Sequence, residues 1–382
     1  MPEAKRLLLF CEYATLNGGE RSLLSVLPNL IDHRYEVFVV LPDRGNLVDA
    51  LRQFNVTVIP FEFYRLDGIR LDQTSLRVRL QTILQEVRPD LVHANSVSTS
   101  RLSGPVVRAL EYSSVGHLRD MIRLSKTALA DLSCHTCLAA VSQATKNWYV
   151  DAGLTAESIS VVYNGVDLHR FRPRQPTGFL HRQLDLPPTA QIVGAVGQIG
   201  MRKGLDVLLE AMSRVMSEHE QFHLLVVGER YSAKAEAIEF ERSLHNRACE
   251  IPLRGRVHFL GYRTDVDQVL PELYLLVHAA CQEPLGRVLL EAAATGVAIV
   301  ATNVGGTTEI FPTDAGAAVL VSPKDPHALA TAISASLADA VRCARLGAAA
   351  RQRAESAFDT VQAARQLLDL YDRVTAGRAS SP

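Results

Sequence analysis

Short apolar runs alternate with longer amphipathic stretches along this chain, and they do so twice. In the first round the runs are 7–11, 36–41, 57–60, 91–93, 137–141 and 159–162. Helical periodicity fills the gaps at 20–31, 46–53 and 76–87, the last with Leu76, Leu80, Ile83, Leu84 and Val87 on one stripe. Runs that are apolar throughout belong to strands buried on both faces, and strand–helix–strand repetition builds a parallel sheet. The rhythm pauses between Phe171 and Thr189, a stretch holding Pro173, Pro176, Pro187 and Pro188. It then restarts with runs at 192–196, 223–227, 257–260, 274–278, 298–302 and 318–321, and helical stretches at 205–217, 234–247, 266–270, 287–295 and 326–336. The expected fold is α/β, with two Rossmann-like doubly wound domains facing a cleft. The expected divisions are 1–172, a connector at 173–189, a second domain at 190–357, a final helix at 358–376 and a frayed tail at 377–382. Ligands of such sheets bind outside the strand carboxyl ends.

Composition removes several alternatives. With 382 residues, 47% hydrophobic and 21% charged, the chain is neither a disordered tail nor collagen-like. Forty basic against 41 acidic residues leave a net charge of −1, so duplex nucleic acid is not an expected partner. Six cysteines are too few for a disulfide scaffold, and Cys134-His135-Thr136-Cys137 lacks a second ligand pair at zinc spacing. The run at 7–11 is too short for a secretory signal, and Glu291, Thr295 and Gly296 interrupt 289–300 before it could span a membrane. These features give the expectation of a cytoplasmic protein. Five cations in 101–126 against Glu111 and Asp120 are compatible with an anionic acceptor, with weak peripheral contact at the inner face of a membrane, or with ordinary solvated helix faces.

The most informative stretch is Glu283-Pro284-Leu285-Gly286-Arg287-Val288-Leu289-Leu290-Glu291. It follows a strand and opens a helix that Gly296 would terminate. Eight helical residues span about 12 Å, which is too far for the paired carboxylates of a glycosidase at about 5–9.5 Å. The two glutamates suit opposite ends of one long ligand, with the amides of 285–287 holding a phosphate. Two solvated glutamates on a surface helix explain the spacing equally well. Ala195 to Gly204 nearly satisfies a dinucleotide fingerprint, with Ala in place of the first glycine, and places Arg202-Lys203 beside a backbone that a diphosphate can approach. A plain strand-to-helix turn with exposed cations is the alternative.

Asn17-Gly18-Gly19-Glu20-Arg21 permits backbone approach to a ligand, although by itself it is a loop like any other. His117-Leu118-Arg119-Asp120 follows a short apolar stretch and could lie at a strand end, where the histidine could touch a sugar hydroxyl and Arg119 a phosphate; an Arg119–Asp120 ion pair beside a satisfied His117 is the plainer reading. Asp265-Val266-Asp267 has the form of a metal-binding pair, but acidic residues at a helix start read first as capping.

Together and in order, these segments resemble the GT-B glycosyltransferases of family 4, which are retaining and use nucleotide-diphosphate sugars. The likeness is carried by Asn17–Arg21; by Val161 to Asp167 with Asn164-Gly165, followed by Phe171 and Pro173; and by Gly197 to Gly204. It continues through Leu225 to Gly228, Val257 to Gly261, the Glu283 to Glu291 block, and Gly305-Gly306 with Glu309. It implies that Glu291 holds the donor ribose, that Glu283 contacts the transferred sugar, and that Leu285 and Gly286 lie near the phosphates. Arg202 and Lys203 would neutralise the departing diphosphate, and Gly18 and Gly19 would approach it through backbone amides. Many members carry a His just before an acidic residue where this chain has Arg119-Asp120, so His117 and Arg119 are both candidates for that catalytic position. Arg263, with Tyr262, is a candidate contact to the donor. No metal and no cofactor beyond the nucleotide sugar is implied; the acceptor would be a hydroxyl of a glycan, a lipid-linked molecule or a small molecule. The rival functions are a non-catalytic nucleotide- or glycan-binding protein, a sugar-nucleotide epimerase, and, from the Ala195–Gly200 stretch alone, an NAD-dependent oxidoreductase.

Overall fold

A computed structural model describes residues 4–33, 35–65 and 67–379. Among them, thirteen strands form two separate parallel sheets. The first contains β1 (Lys5–Phe10), β2 (Tyr35–Leu41), β3 (Val56–Pro60), β4 (Leu91–Ala94), β5 (Ser114–Leu118), β6 (Cys137–Ala140) and β7 (Ile159–Val161), in the order β3-β2-β1-β4-β5-β6-β7. The second contains β8 (Gln191–Val196), β9 (Phe222–Val227), β10 (Val257–Phe259), β11 (Leu275–His278), β12 (Ala298–Thr302) and β13 (Val319–Val321), in the order β10-β9-β8-β11-β12-β13. Both are Rossmann-like, and both reverse strand order once, between β1 and β4 and between β8 and β11.

The apolar runs become strands because both faces are covered. In β1, Leu7 and Leu9 enter one core with Leu23, Leu27, Leu367 and Tyr371; Leu8 and Phe10 enter another with Phe61, Phe63, Leu76 and Leu80. Each fully buried leucine or phenylalanine contributes about 1.5–3 kcal/mol. The helix over Gln73–Val87 starts where the Asp72 carboxylate accepts from the Ser75 amide, and the helix over Val97–Ala109 starts at a reciprocal box between Ser96 and Thr99. Gly296 ends the helix over Arg287–Thr295 in the left-handed conformation, as its position in the sequence suggested.

Contacts divide the chain into two units, one of residues up to Gly165 together with those from Thr360 onward, the other Val166–Asp359. The first unit is closed by the helix over Thr360–Ala379, which lies on the helix over Gly18–Asp32. The dividing line at 172 therefore moves to 165. Residues 173–189, expected to connect the domains, fold as part of the second unit. The buried Glu272 carboxylate accepts from the Thr177 amide (2.5 Å), the Thr177 hydroxyl (2.8 Å) and the Gly178 amide (2.9 Å), fixing the start of a short helix at Phe179–Gln183. The expected tail at 377–382 is helical through Ala379, and residues 380–382 lie outside the described residues.

Strand β5 is announced only by the short apolar stretch that ends near His117, and no stripe announces the helix over Val97–Ala109. Their small residues are set by contact: a Cβ on Gly116 would come within 2.8 Å of the His135 and Leu138 side chains, and one on Gly104 within 2.0 Å of the Asp131 carbonyl oxygen. The backbone at Asp131 cannot yield as a flexible side chain would. Gly104→Ala is expected to cost about 1–3 kcal/mol, read as a lower urea midpoint with an unchanged slope.

Candidate active site

In the second sheet the strand-order reversal lies between β8 and β11, so the loops leaving those two strands face each other. The loop after β8 turns through Gly197 (φ +144°) and Gly204 (φ +62°). A Cβ on Gly204 would sit 2.1 Å from the Ala279 carbonyl oxygen, so glycine lets this loop lie against the exit of β11. The Cys281 amide donates to the Arg202 carbonyl at 2.8 Å, tying the two loops together. The 283–286 loop is pressed in turn on Gly305 and Gly306: a Cβ on Gly305 would be 2.0 Å from the Glu283 carbonyl oxygen, and one on Gly306 would be 2.5 Å from that of Pro284.

This packing places three ionisable groups around one oxygen. Lys203 Nζ lies 2.5 Å from Glu283 Oε2, and His278 Nε2 lies 2.8 Å from the same atom. Burial alone would raise the Glu283 carboxyl; Lys203, the hydrogen bond from His278 and the nearby Arg202 outweigh it and hold the group well below the usual carboxylate range. Burial, then Lys203, lowers the pKa of His278. An ionised carboxylate only accepts, so neutral His278 carries its hydrogen on Nε2. Both contacts fall on Oε2, and Oε1 has no donor among the described residues. Arg202 is exposed at the edge of this cluster, and its guanidinium makes no hydrogen bond or ion pair among the described residues.

The helix over Arg287–Thr295 begins at Gly286 (φ +108°), with Leu285 buried just before it. One turn in, Arg287 Nε holds Glu291 Oε1 at 2.8 Å, fixing a glutamate that is 8% exposed. Glu283 and Glu291 thus occupy two separate stations. Arg263 is bidentate on Asp265 (2.8 and 2.6 Å), with its remaining nitrogen 3.1 Å from Gln183 Oε1. Asp265 makes no capping bond, contrary to the capping expectation, because its carboxylate is taken by Arg263; Asp267 takes Arg170 and Arg174.

In the first unit, Gly18 and Gly19 open the helix over Gly18–Asp32 after β1, and Asn17 offers no side-chain cap. Arg119 follows β5. Its Nε donates to the Asn95 carbonyl (2.9 Å), Nη2 to Asn95 Oδ1 (2.8 Å) and Nη1 to Asn164 Oδ1 (2.9 Å). A Cβ on Gly19 would lie 3.0 Å from Arg119 Cδ, so the cation and the helix start are neighbours. Asn95 Nδ2, buried beside them, has no acceptor among the described residues.

His117 is inside the sheet at 3% exposure. Its Nδ1 is 3.0 Å from His93 Nε2, and His93 Nδ1 is 2.5 Å from the Tyr371 hydroxyl. Burial, then Arg119, keeps His117 well below its usual pKa and brings His93 to about 3, so both are neutral near pH 7. The structure thus brings Gly19 and Arg119 together in one unit, and Lys203, Glu283 and Arg202 in the other. Asn164, from the Asn164-Gly165 motif, joins the first group, and His278 and Asn95 join without having been singled out; the position of His278 at a strand end, five residues before Glu283, was the available signal.

Residues 177–353 match the family model of the glycosyl transferases group 1, and residues 16–170 that of Glycosyltransferase Family 4. Spore coat protein SA of Bacillus subtilis is 26% identical over 379 residues, covering 93% of this chain and 95% of that protein. The lipopolysaccharide core biosynthesis mannosyltransferase LpsB of Rhizobium meliloti is 28% identical over 214 residues, 56% of this chain and 60% of LpsB. The crystal structure of Anabaena HepE in complex with UDP and glucose superimposes with a TM-score of 0.84 at 25% identity, covering 96% of this chain and 99% of that one.

The ion pair at Glu283 has a measurable consequence. A carboxyl whose pKa is lowered on folding stabilises the protein above its unfolded pKa of about 4.3, and that contribution fades as pH falls through the folded value. Lys203→Met leaves the buried charge without its cation, and the expected loss at pH 7 is about 3–5 kcal/mol. Denaturant titrations should show the gap between variant and parent narrowing below pH 4.5, because protonation then relieves the unpaired carboxylate.

Proposed function

We propose, from the premise that this chain belongs to the glycosyltransferases of family 4, that it is a retaining enzyme moving a sugar from a nucleotide-diphosphate donor to a hydroxyl acceptor. The observation that carries this reading is the cluster at the reversal of the second sheet, where Arg202 stands exposed beside the Lys203–Glu283–His278 group. That edge meets the requirements of such a donor one by one. Glu291, fixed by Arg287, accepts hydrogen bonds from the ribose hydroxyls. The start of the helix over Arg287–Thr295 offers its positive end to the diphosphate. The open Oε1 of Glu283 accepts from a hydroxyl of the sugar being transferred, while Lys203 and His278 hold the carboxylate in place.

Glu283 is committed to its cation and is read here as a sugar-positioning group rather than a nucleophile. Transfer with retention then proceeds on one face through an oxocarbenium-like state. The bond from the anomeric carbon to the diphosphate oxygen breaks, the acceptor oxygen bonds to the same face, and the acceptor proton passes to the departing oxygen. The enzyme's main contribution is to stabilise the negative charge that grows on the diphosphate. Arg202 supplies a fixed positive charge for this without requiring a metal. The likeness to HepE, whose structures hold UDP and UDP-glucose, makes UDP the first nucleotide to test.

Calorimetric titration of UDP, GDP, ADP and NAD should give saturable binding of one diphosphate, and Glu291→Ala should weaken it at least tenfold with the unfolding midpoint unchanged. Equal affinity in the variant removes the ribose assignment, and tight binding without turnover of any sugar donor leaves a binding protein. Arg202→Ala should lower turnover about 100-fold, the scale of losing one charge stabiliser, and turnover by the parent should survive EDTA. Loss in EDTA with restoration by Mn²⁺ would overturn the metal-free reading.

A further inference from the structure

We propose that Glu12, Tyr13, Tyr64 and Arg70 form an acceptor subsite in the first unit, and that the acceptor it takes is the pyranose ring of a carbohydrate. The inference rests on the transferase reading above and narrows its acceptor. Glu12 and Tyr13 follow β1, and Tyr64 follows β3, so all of them leave the carboxyl edge of the first sheet, where ligands of doubly wound sheets bind.

Two tyrosines stand out on this edge, Tyr13 at 44% exposure and Tyr64 at 39%. They are not loose. Tyr64 follows directly on Phe63, which with Phe61, both fully buried, packs on Phe10. A short turn closes where Tyr64 pairs with Arg70 and the Leu71 amide donates to the Phe63 carbonyl. Arg70 lies over the rings of Tyr64 and Phe63, 5.8 Å from each centroid, and reaches Glu12 Oε1 at 2.5 Å and Ser98 Oγ at 3.2 Å. Tyr13 follows directly on Glu12, which Arg70 ties to the Tyr64 ring; burial, then the Glu12 carboxylate, then Tyr64 push the Tyr13 phenol up.

The mixture of groups selects the ligand. An aromatic face carries negative charge density and meets the weakly positive C–H bonds on one side of a pyranose, while the ring hydroxyls point outward to planar polar groups. Glu12 is only 4% exposed, and its Oε2 has no donor among the described residues. A lipid tail or an apolar protein side chain laid on the tyrosines would strip water from that oxygen and return nothing. A sugar hydroxyl returns a hydrogen bond to it, and Arg70 donates to a second hydroxyl.

Saturation-transfer NMR on the full chain tests this with methyl α-glucopyranoside, methyl α-mannopyranoside, methyl β-galactopyranoside and methyl β-N-acetylglucosaminide, with glycerol as a polyol lacking a ring. At least one glycoside should take saturation at its ring C–H protons and glycerol should not. Tyr13→Ala with Tyr64→Ala should weaken glycoside binding about tenfold, the scale of an aromatic contact, with UDP titration and the unfolding midpoint unchanged. Tyr13→Phe with Tyr64→Phe should retain most of the binding, and Glu12→Gln should lose it with both rings in place. Glycoside signals unmoved by the alanine and glutamine variants, or absent in the parent while UDP still binds, overturn the subsite. Failure of UDP to bind, with glycoside signals still lost in the alanine variant, supports the sugar platform and strikes only the transferase reading.

Discussion

A carboxylate withdrawn from water stays charged only if its neighbours replace what water supplied, and Glu283 is the point on which the second unit turns. Its oxygen needs a cation and a donor at hydrogen-bonding distance, and both come from elsewhere in the chain: Lys203 from the loop after β8, His278 from the end of β11. Meeting that need forces the two loops together. Gly204 against the carbonyl of Ala279, Gly305 against that of Glu283 and Gly306 against that of Pro284 are what make the approach geometrically possible. The exposed Arg202, the oriented Oε1 and the fixed start of the next helix follow from holding one buried charge.

The first unit repeats the topology with different contents. Its sheet also reverses order beside the first strand, and a cation again sits beside a glycine at a helix start. Arg119, however, is held by neutral amide oxygens of Asn95 and Asn164. Behind it, where another charge would be costly, the chain places the neutral His93–His117 pair, tied to Tyr371. The same architecture therefore carries an ion-paired carboxylate in one unit and an amide-held cation in the other, which is the freedom expected when function is grafted onto a shared fold.

The sequence disclosed the parts of this arrangement that depend on runs and spacing. Twelve of the thirteen strands stand at apolar runs, since a strand buried on both faces has to be apolar along its length. β5 showed only as a short apolar stretch before a strand end at His117, because part of its requirement is steric: a Cβ on Gly116 would meet the His135 and Leu138 side chains. Glu283, Glu291, Arg202, Lys203 and Gly19 were visible through local motifs. His278 and Asn95 were not, because their significance comes from partners that folding brings close; Asn164 stood in a motif, but its bond to Arg119 did not show. The connector was misread for a related reason: prolines at 173, 176, 187 and 188 look like punctuation until Glu272, almost a hundred residues on, supplies the acceptor that fixes the backbone.

The chain leaves the first unit after Gly165 and returns to it at Thr360, so the second unit is an insertion within the first. The first unit's core includes Leu367, Leu370, Tyr371 and Val374 from the final helix. During synthesis, then, the second unit has all of its residues while the first still lacks one wall of its core. At that stage Leu7, Leu9 and Leu27 have no cover on that side, and His93 has no phenol to meet its Nδ1. The order in which the polypeptide emerges is thus opposite to the order in which its two units can finish folding, and the helix over Thr360–Ala379 seals the unit whose first strands were made first.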